Sequence, residues 1–327
     1  MLYPFTFEPR FKERIWGGRR LAEMYAKALP PDAVIGESWE ISDRPGDESV
    51  IANGPLAGRT IRWLMEQHGR DVLGVAQPAG DGRFPLLCKI LDARATLSLQ
   101  VHPPAMKAEA LGGEPKTEMW YIADADPEAE LFVGLRQGVT REQFASKVQS
   151  GEVAECFHRI PVRSGDTMFL PSGRVHAIGA GLVIFEIQQN SDTTYRVFDW
   201  NRVGLDGKPR ELHVEQSMAS IDFDDFEPPL ADGPWTARGT VRWRPLVRHP
   251  LFTVDEMRVG DSRELPLRPG RLRVVAVVAG ALHARGVGES VRVPAGGFTL
   301  LPASLQGPML HAEGETTLLI VEPGAAA

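Results

Sequence analysis

The sequence predicts a mainly β protein of antiparallel strands, arranged as two similar halves with a few short helices. Three observations carry this prediction. Short runs rich in Val, Ile, Leu and Phe recur along the 327 residues, and 33 glycines and 26 prolines are spread between them as turn formers. Helical periodicity is confined to two segments. "GDTMFLPSGRVHAI" from Gly165 and "GGFTLLPASLQGPM" from Gly296 share a turn glycine, a short apolar strand and a proline six residues after the glycine.

Taken in chain order, "SVIANG", "FPLLCKILDA", "EMWYIADA", "DTMFLPSG", "GLVIFEIQQ", "RLRVVAVVAGALHA", "GFTLLPAS" and "TTLLIVEPG" are the strand candidates. The spacing in "TIRWLMEQHGRDVLG" predicts a helix stopped by glycine. "TREQFASKVQSG" predicts another, with Thr140 as N-cap, Gln143 three residues on, and Gly151 as the stop. "DFDDFEPPLADGPW", acidic and proline-rich without periodicity, reads as a linker, which places a boundary near residue 235. The expected units are 1–235 and 236–327. Aligning Pro171 on Pro302 sets His176 against Gly307, so any chemistry that uses this histidine belongs to the first unit.

Composition limits the function classes. With 43% hydrophobic and 24% charged residues the chain can bury a sizeable core. A net charge of -7 without a Lys/Arg block argues against nucleic acid or an anionic membrane as partner, while a small anionic ligand needs only a few local cations. No apolar leader or run of about 18 apolar residues is present, and Cys88 and Cys156 cannot make a disulfide framework. A cytoplasmic protein with two plain buried thiols is the expectation.

"LSLQVHP" (97–103) alternates apolar and polar residues, which places Ser98, Gln100 and His102 on one face of a strand. Gln100 and His102 alone are compatible with a satisfied polar pair or with half of a metal site. Gly165, Pro171, Gly173 and His176 match the pattern G-x5-P-x-G-x2-H, the second signature of the cupin superfamily of jelly-roll β-barrels. In that superfamily the histidine meets a metal held by an earlier strand. The first signature resembles Gln100-x-His102 followed, after an inserted loop, by Glu118 in "KTEMWYI". One amide oxygen, two imidazoles and a carboxylate suit a divalent ion such as Zn²⁺ with positions left open to substrate.

"ERIWGG", "GESWEIS", "FPLLCKILDA", "LSLQVHP", "KTEMWYI", "PSGRVHAIGAG" and "QQNSDTTYRVFDWNR" occur in the order seen in type I mannose-6-phosphate isomerases, and the chain resembles the short bacterial form of that family from Phe7 to His213. The resemblance implies two cupin barrels, the second degenerate and without metal ligands. It also implies one Zn²⁺ per chain on Gln100, His102, Glu118 and His176, and conversion between mannose 6-phosphate and fructose 6-phosphate through an enediolate. By the family pattern Arg196, Lys116, Asp192 and Glu186 fall on catalytic positions, and Ser98, Trp16, Glu37 and Lys89 on substrate-binding ones. The implied partner is a small phosphorylated sugar, with no nucleic acid and no membrane, and a monomer is expected.

The chemistry of the residues agrees with that assignment. Moving a carbonyl between C1 and C2 needs a base at carbon, a group to hold the enediolate oxygens, and a cation for phosphate. Lys116, two before Glu118, would share its face on a strand, and a nearby Zn²⁺ would lower its pKa. Arg196 offers a fixed fork of donors.

Each residue has an ordinary structural reading beside this one. Lys116 and Arg196 are compatible with surface cations, Asp192 in "NSDTT" with a turn former, Trp16 with packing of Gly17-Gly18, and Ser98 with satisfying a neighbour. Glu186, inside the apolar "LVIFEIQ", requires a partner. His68, His158, His213, His249, His283 and His311 occur singly and receive no role. Pro115 precedes Lys116 where some relatives carry His, which weakens a two-base scheme at that position, and the helical domain of longer relatives has no counterpart here. A metal cupin of another kind, a sugar sensor or a dioxygenase, is the alternative class. Glutamine in the ligand set disfavours an iron oxygenase.

Overall fold

A computed structural model describes residues 1–324. It is mainly β, with every strand pair antiparallel. The strands of the first half are β1 (Arg10–Gly18), β2 (Ile35–Ile41), β3 (Leu86–Ala93), β4 (Leu99–Val101), β5 (Glu118–Ala125), β6 (Glu130–Leu135), β7 (Phe157–Pro161), β8 (Thr167–Leu170), β9 (His176–Ile178), β10 (Leu182–Gln189) and β11 (Tyr195–Phe198). They form a six-stranded sheet, β1-β2-β3-β10-β5-β8, and a five-stranded sheet, β11-β4-β9-β6-β7.

The second half contains β12 (Thr236–Arg238), β13 (Val241–His249), β14 (Phe252–Val259), β15 (Ser262–Pro266), β16 (Arg273–Ala279), β17 (Ala281–Arg285), β18 (Ser290–Pro294), β19 (Phe298–Leu301), β20 (Met309–Glu313) and β21 (Thr316–Pro323). Its sheets run β12-β13-β14-β21-β16-β19 and β15-β20-β17-β18. The repeated segments supply β8 and β19, which occupy the same edge of their respective six-stranded sheets.

Alternation along the strands explains the layers. In β3, β5 and β10 one set of side chains (Cys88, Ile90, Met119, Tyr121, Phe185, Ile187) packs against Phe252, Val274, Leu300 and Val321 of the other six-stranded sheet. The opposite set (Leu91, Trp120, Ile122, Ile184) faces the five-stranded sheet across a separate core. Both faces of these strands are covered, which is why "FPLLCKILDA" and "GLVIFEIQQ" read as nearly continuous apolar runs. The interior of the second half is filled by Val275, Val277, Leu282, Leu310 and Leu318. Phe5, from the N-terminal segment, exchanges backbone hydrogen bonds with Leu300, tying the chain's first residues to the second half.

Among the helices, α1 (Arg20–Tyr25), α2 (Ile61–Leu73), α3 (Ala105–Ala108), α4 (Arg141–Ser150) and α5 (Val214–Ser220) are all short. α2 starts where Thr60 Oγ1 accepts from Trp63 N at 3.1 Å. α4 has the full capping box expected of Thr140 and Gln143, and Gly151 ends it at φ 78°. "SVIANG" departs from expectation. Val50 and Ile51 bridge different partners, Thr60 and Phe7, so no ladder propagates and no strand forms. The stretch expected as a linker has no regular structure but lies against the first half. Asp225 pairs with Arg174 at 2.7 Å, and Ala231 N donates to Thr167 O.

Candidate metal centre and active site

Period-two alternation assembles this site. In β4, Leu99 and Val101 point to the outer core beneath α4, so Gln100 and His102 turn to the space between the sheets. Gln100 pairs in register with His176 of β9, and Gln188 of β10 pairs with Glu118 of β5. His102, Glu118 and His176 thereby offer one donor atom each, all within 4.8 Å of one another. These side chains are 0–1% exposed. His102 Nε2 and His176 Nε2 each lie 3.5 Å from a Glu118 oxygen, and Gln100 Nε2 lies 3.3 Å from His176 Nε2. Rotating the amide by 180° sets Oε1 at the same place.

Several features of this cluster suit a cation. His102 Nε2 and Glu118 Oε1 are buried without a hydrogen-bond partner. The other ring nitrogens face backbone carbonyls, His102 Nδ1 at 2.8 Å from Thr193 O and His176 Nδ1 at 2.9 Å from Arg174 O. That places the proton on Nδ1 and turns each Nε2 lone pair inward. Burial, with Lys116 adding to it, pushes His102 down to about 4, and burial also lowers His176, so both rings are neutral at pH 7. Burial raises the Glu118 carboxyl, but Lys116 and the imidazoles outweigh it and hold the group well below the usual carboxylate range. Lys116 Nζ is 2.9 Å from Glu118 Oε2. Burial works against that ammonium, yet Glu118 and Glu186 raise its pKa.

Beside the cluster opens a cleft of about 550 Å³. Its wall includes Trp16, Glu37, Lys89, Ser98, Gln100, Lys116, Glu186, Asp192 and Arg196, so every residue singled out in the sequence meets here, at the metal cluster or around the cleft. Glu186 has the partners its burial demands. The register sets it opposite both Lys89 and Trp120, with Lys89 Nζ 3.1 Å from Oε1 and Trp120 Nε1 donating to Oε2 at 2.8 Å. Glu37 accepts from Trp39 Nε1 at 2.6 Å and from Arg14 Nε at 3.0 Å. Burial raises this carboxyl, and Lys89 with Arg14 overcomes burial and brings it to about 2. Arg196 of β11 pairs in register with Gln100; its Nη1 donates to Glu211 O at 2.8 Å, and its Nε is buried without a partner.

The structure differs from the sequence reading in two details. Lys116 precedes β5 rather than lying within it, because Thr117 N is taken by the Gln189 side chain. The cleft wall also includes residues outside the sequence reading, among them the cations Arg14 and Arg210. Arg14 had a signal, since it lies two residues before Trp16 on β1. Arg210 lies in a loop, where no periodicity points to a face.

A family model described as phosphomannose isomerase type I, catalytic domain, matches residues 5–145. Mannose-6-phosphate isomerase of Streptococcus mutans is 36% identical over 281 residues, 86% of this chain and 86% of that protein. The crystal structure of mannose 6-phosphate isomerase from Bacillus subtilis superposes with a TM-score of 0.87 at 31% identity, over 98% of this chain and 99% of that one. A zinc-bound mannose 6-phosphate isomerase shares the fold, with a TM-score of 0.77 at 17% identity, over 98% and 99% of the two chains. With more than four-fifths of a relative's length matched at this identity, the chain belongs to the type I mannose-6-phosphate isomerase family.

Proposed function

We propose that the protein is a zinc-dependent aldose–ketose isomerase that interconverts mannose 6-phosphate and fructose 6-phosphate through an enediolate. The observation that carries this reading is the pair of buried, unpartnered acceptors, His102 Nε2 and Glu118 Oε1, beside His176 at the wall of a cation-lined cleft. Gln100, His102, Glu118 and His176 would hold the ion, and zinc bound there would supply a Lewis acid for the isomerisation.

The chain's own groups do the rest. Glu186 is held by Lys89 and Trp120 and Glu37 by Arg14 and Trp39, so both carboxylates are fixed acceptors for sugar hydroxyls. Asp192 lines the cleft and forms no ion pair among the described residues, which leaves it available to move the proton between C1 and C2. Lys116, kept as an ammonium by Glu118, donates to an enediolate oxygen. Arg196, with a free Nε donor, and Ser98 face the anionic part of the substrate.

In this reading each half is a jelly-roll cupin, split near residue 235. The second half has a structural role, and one chain suffices for the site. A coupled assay of mannose 6-phosphate conversion after chelation, with and without added Zn²⁺, tests the function. No turnover in the zinc-restored protein would overturn it.

A further inference from the structure

The loop that follows β11 brings two arginines and one buried carboxylate into a cluster beside Arg196 of β11. Asp199, 5% exposed, accepts from Arg202 Nε at 3.0 Å through Oδ1, from Arg210 Nη2 at 2.5 Å through Oδ1, and from Arg210 Nε at 2.6 Å through Oδ2. Arg202 Nη1 is turned away, donating to Thr96 O at 2.6 Å. Arg196 lies within the field of both other guanidiniums, and its Nη1 is held by the Glu211 carbonyl on the return leg of the same loop. Asp199 is the carboxylate hydrogen-bonded within this group of three guanidiniums, and the further acid acting on Arg196, Glu211, is exposed to solvent, so the group keeps a net positive charge. A phosphate monoester near neutral pH carries close to two negative charges.

Of the loop's two arginines, Arg210 lines the cleft and Arg202 does not. Asp199 occupies Nε–H and one Nη2–H of Arg210, which leaves the two Nη1–H donors and the second Nη2–H. Arg196 adds its unpartnered Nε. The loop closes tightly behind this pair. Gly204 N donates to Lys208 O at 2.7 Å, and a Cβ at Gly204 would meet Arg210 Cγ at 3.3 Å. Asp206, the one acidic side chain of this part of the cleft wall, is turned to the backbone of its own loop and accepts from Lys208 N at 3.0 Å.

We infer that Arg210, oriented by Asp199, is a specificity-determining residue that joins Arg196 in reading the phosphate, so that a phosphorylated hexose is taken in preference to the free sugar. This rests on the phosphorylated-sugar reading above. The phosphate is remote from C1 and C2 and its charge is the same in substrate and transition state. Loss of a contact to it therefore falls on KM and leaves kcat little changed.

The test compares wild type, Arg210→Gln and Arg210→Lys. Arg210→Gln leaves Asp199 paired with Arg202, so no buried carboxylate is orphaned. Isothermal titration with inorganic phosphate measures the anion site without turnover, and steady-state kinetics with mannose 6-phosphate and with mannose give the specificity ratio. Expected for Arg210→Gln is a loss of about 10–100-fold in phosphate affinity and a matching rise in KM, since charge-assisted hydrogen bonds are of that strength. kcat/KM for mannose should hold steady, and lysine should recover the charge but not the fork. Unchanged phosphate affinity and KM in Arg210→Gln would overturn the inference, as would a fall in kcat at constant KM. Wild type that binds phosphate in an Arg210-dependent way yet does not isomerise mannose 6-phosphate would leave the anion site standing and remove the functional reading instead.

Discussion

Lys89 is the residue whose removal most directly tests the electrostatic design of the cleft. It is 4% exposed, 3.1 Å from the equally buried Glu186, over the Trp39 ring at 5.1 Å, and the largest of the neighbours holding down the Glu37 carboxyl. Lys89→Met keeps the volume and removes the charge. Stranding one member of a buried ion pair costs about 3–5 kcal/mol. Glu186 keeps the Trp120 N–H and Glu37 keeps Arg14 and the Trp39 N–H, so the lower end, about 3 kcal/mol, is expected.

Adding Glu186→Gln to Lys89→Met removes the stranded charge, while the amide oxygen still accepts from Trp120. The double variant should therefore recover about 1.5 kcal/mol or more relative to the sum of the single changes. Urea unfolding followed by tryptophan fluorescence and circular dichroism, with chelator present so that metal binding does not enter the balance, gives the four corners of the cycle. A cost below about 1 kcal/mol for Lys89→Met, or single effects that add to within about 0.5 kcal/mol, would show that these charges do not depend on one another.

Metal analysis should find one zinc per chain, lost in His176→Ala and weakened in Glu118→Gln; two tightly held equivalents would contradict the assignment of all ligands to the first half. Arg196→Ala should lower kcat/KM by about 10²–10⁴-fold with zinc content unchanged, and lysine should restore little, because a point charge lacks the two-donor fork. Loss of zinc together with activity in Arg196→Ala would make the residue structural. Glu37 titrates near 2 when folded against an ordinary 4.5, so its contribution of up to about 3 kcal/mol is complete above pH 4.5 and disappears as pH falls from there to about 2. Glu37→Gln should flatten the acid limb of the stability profile in that window, and an identical slope in both proteins would rule this out.

Much of the molecule is legible before folding. Local rules are enough for α2 and α4, because Thr60, Thr140 and Gln143 form their caps within four residues of sequence. Period-two alternation is likewise enough to group Gln100 with His102, and the repeat around Gly165 and Gly296 to identify two matching edge strands. The order of strands is a different matter. That β10 inserts between β3 and β5, which alone brings Glu186 to Lys89 and to Trp120, 66 residues away in sequence, depends on long-range pairings that no local pattern encodes.

The same distinction divides the site. Gln100 and His102 share a face by strand alternation, and Glu118 and His176 join them through the resemblance to the cupin signatures. Arg210 carries no such signal, because it lies in a loop whose course is set by Asp199, Glu211 and the Thr96 carbonyl. The linker-like acidic stretch and "SVIANG" follow the same logic, one held down by Arg174 and the other divided between Thr60 and Phe7. Sequence alone determined the fold class and the halves' repeat, since these rest on periodicity and turn residues, and singled out the candidate metal ligands through their resemblance to the cupin signatures. Tertiary structure decided which charges face one another and which loop cations reach the cleft, because those depend on where distant backbone segments are brought together.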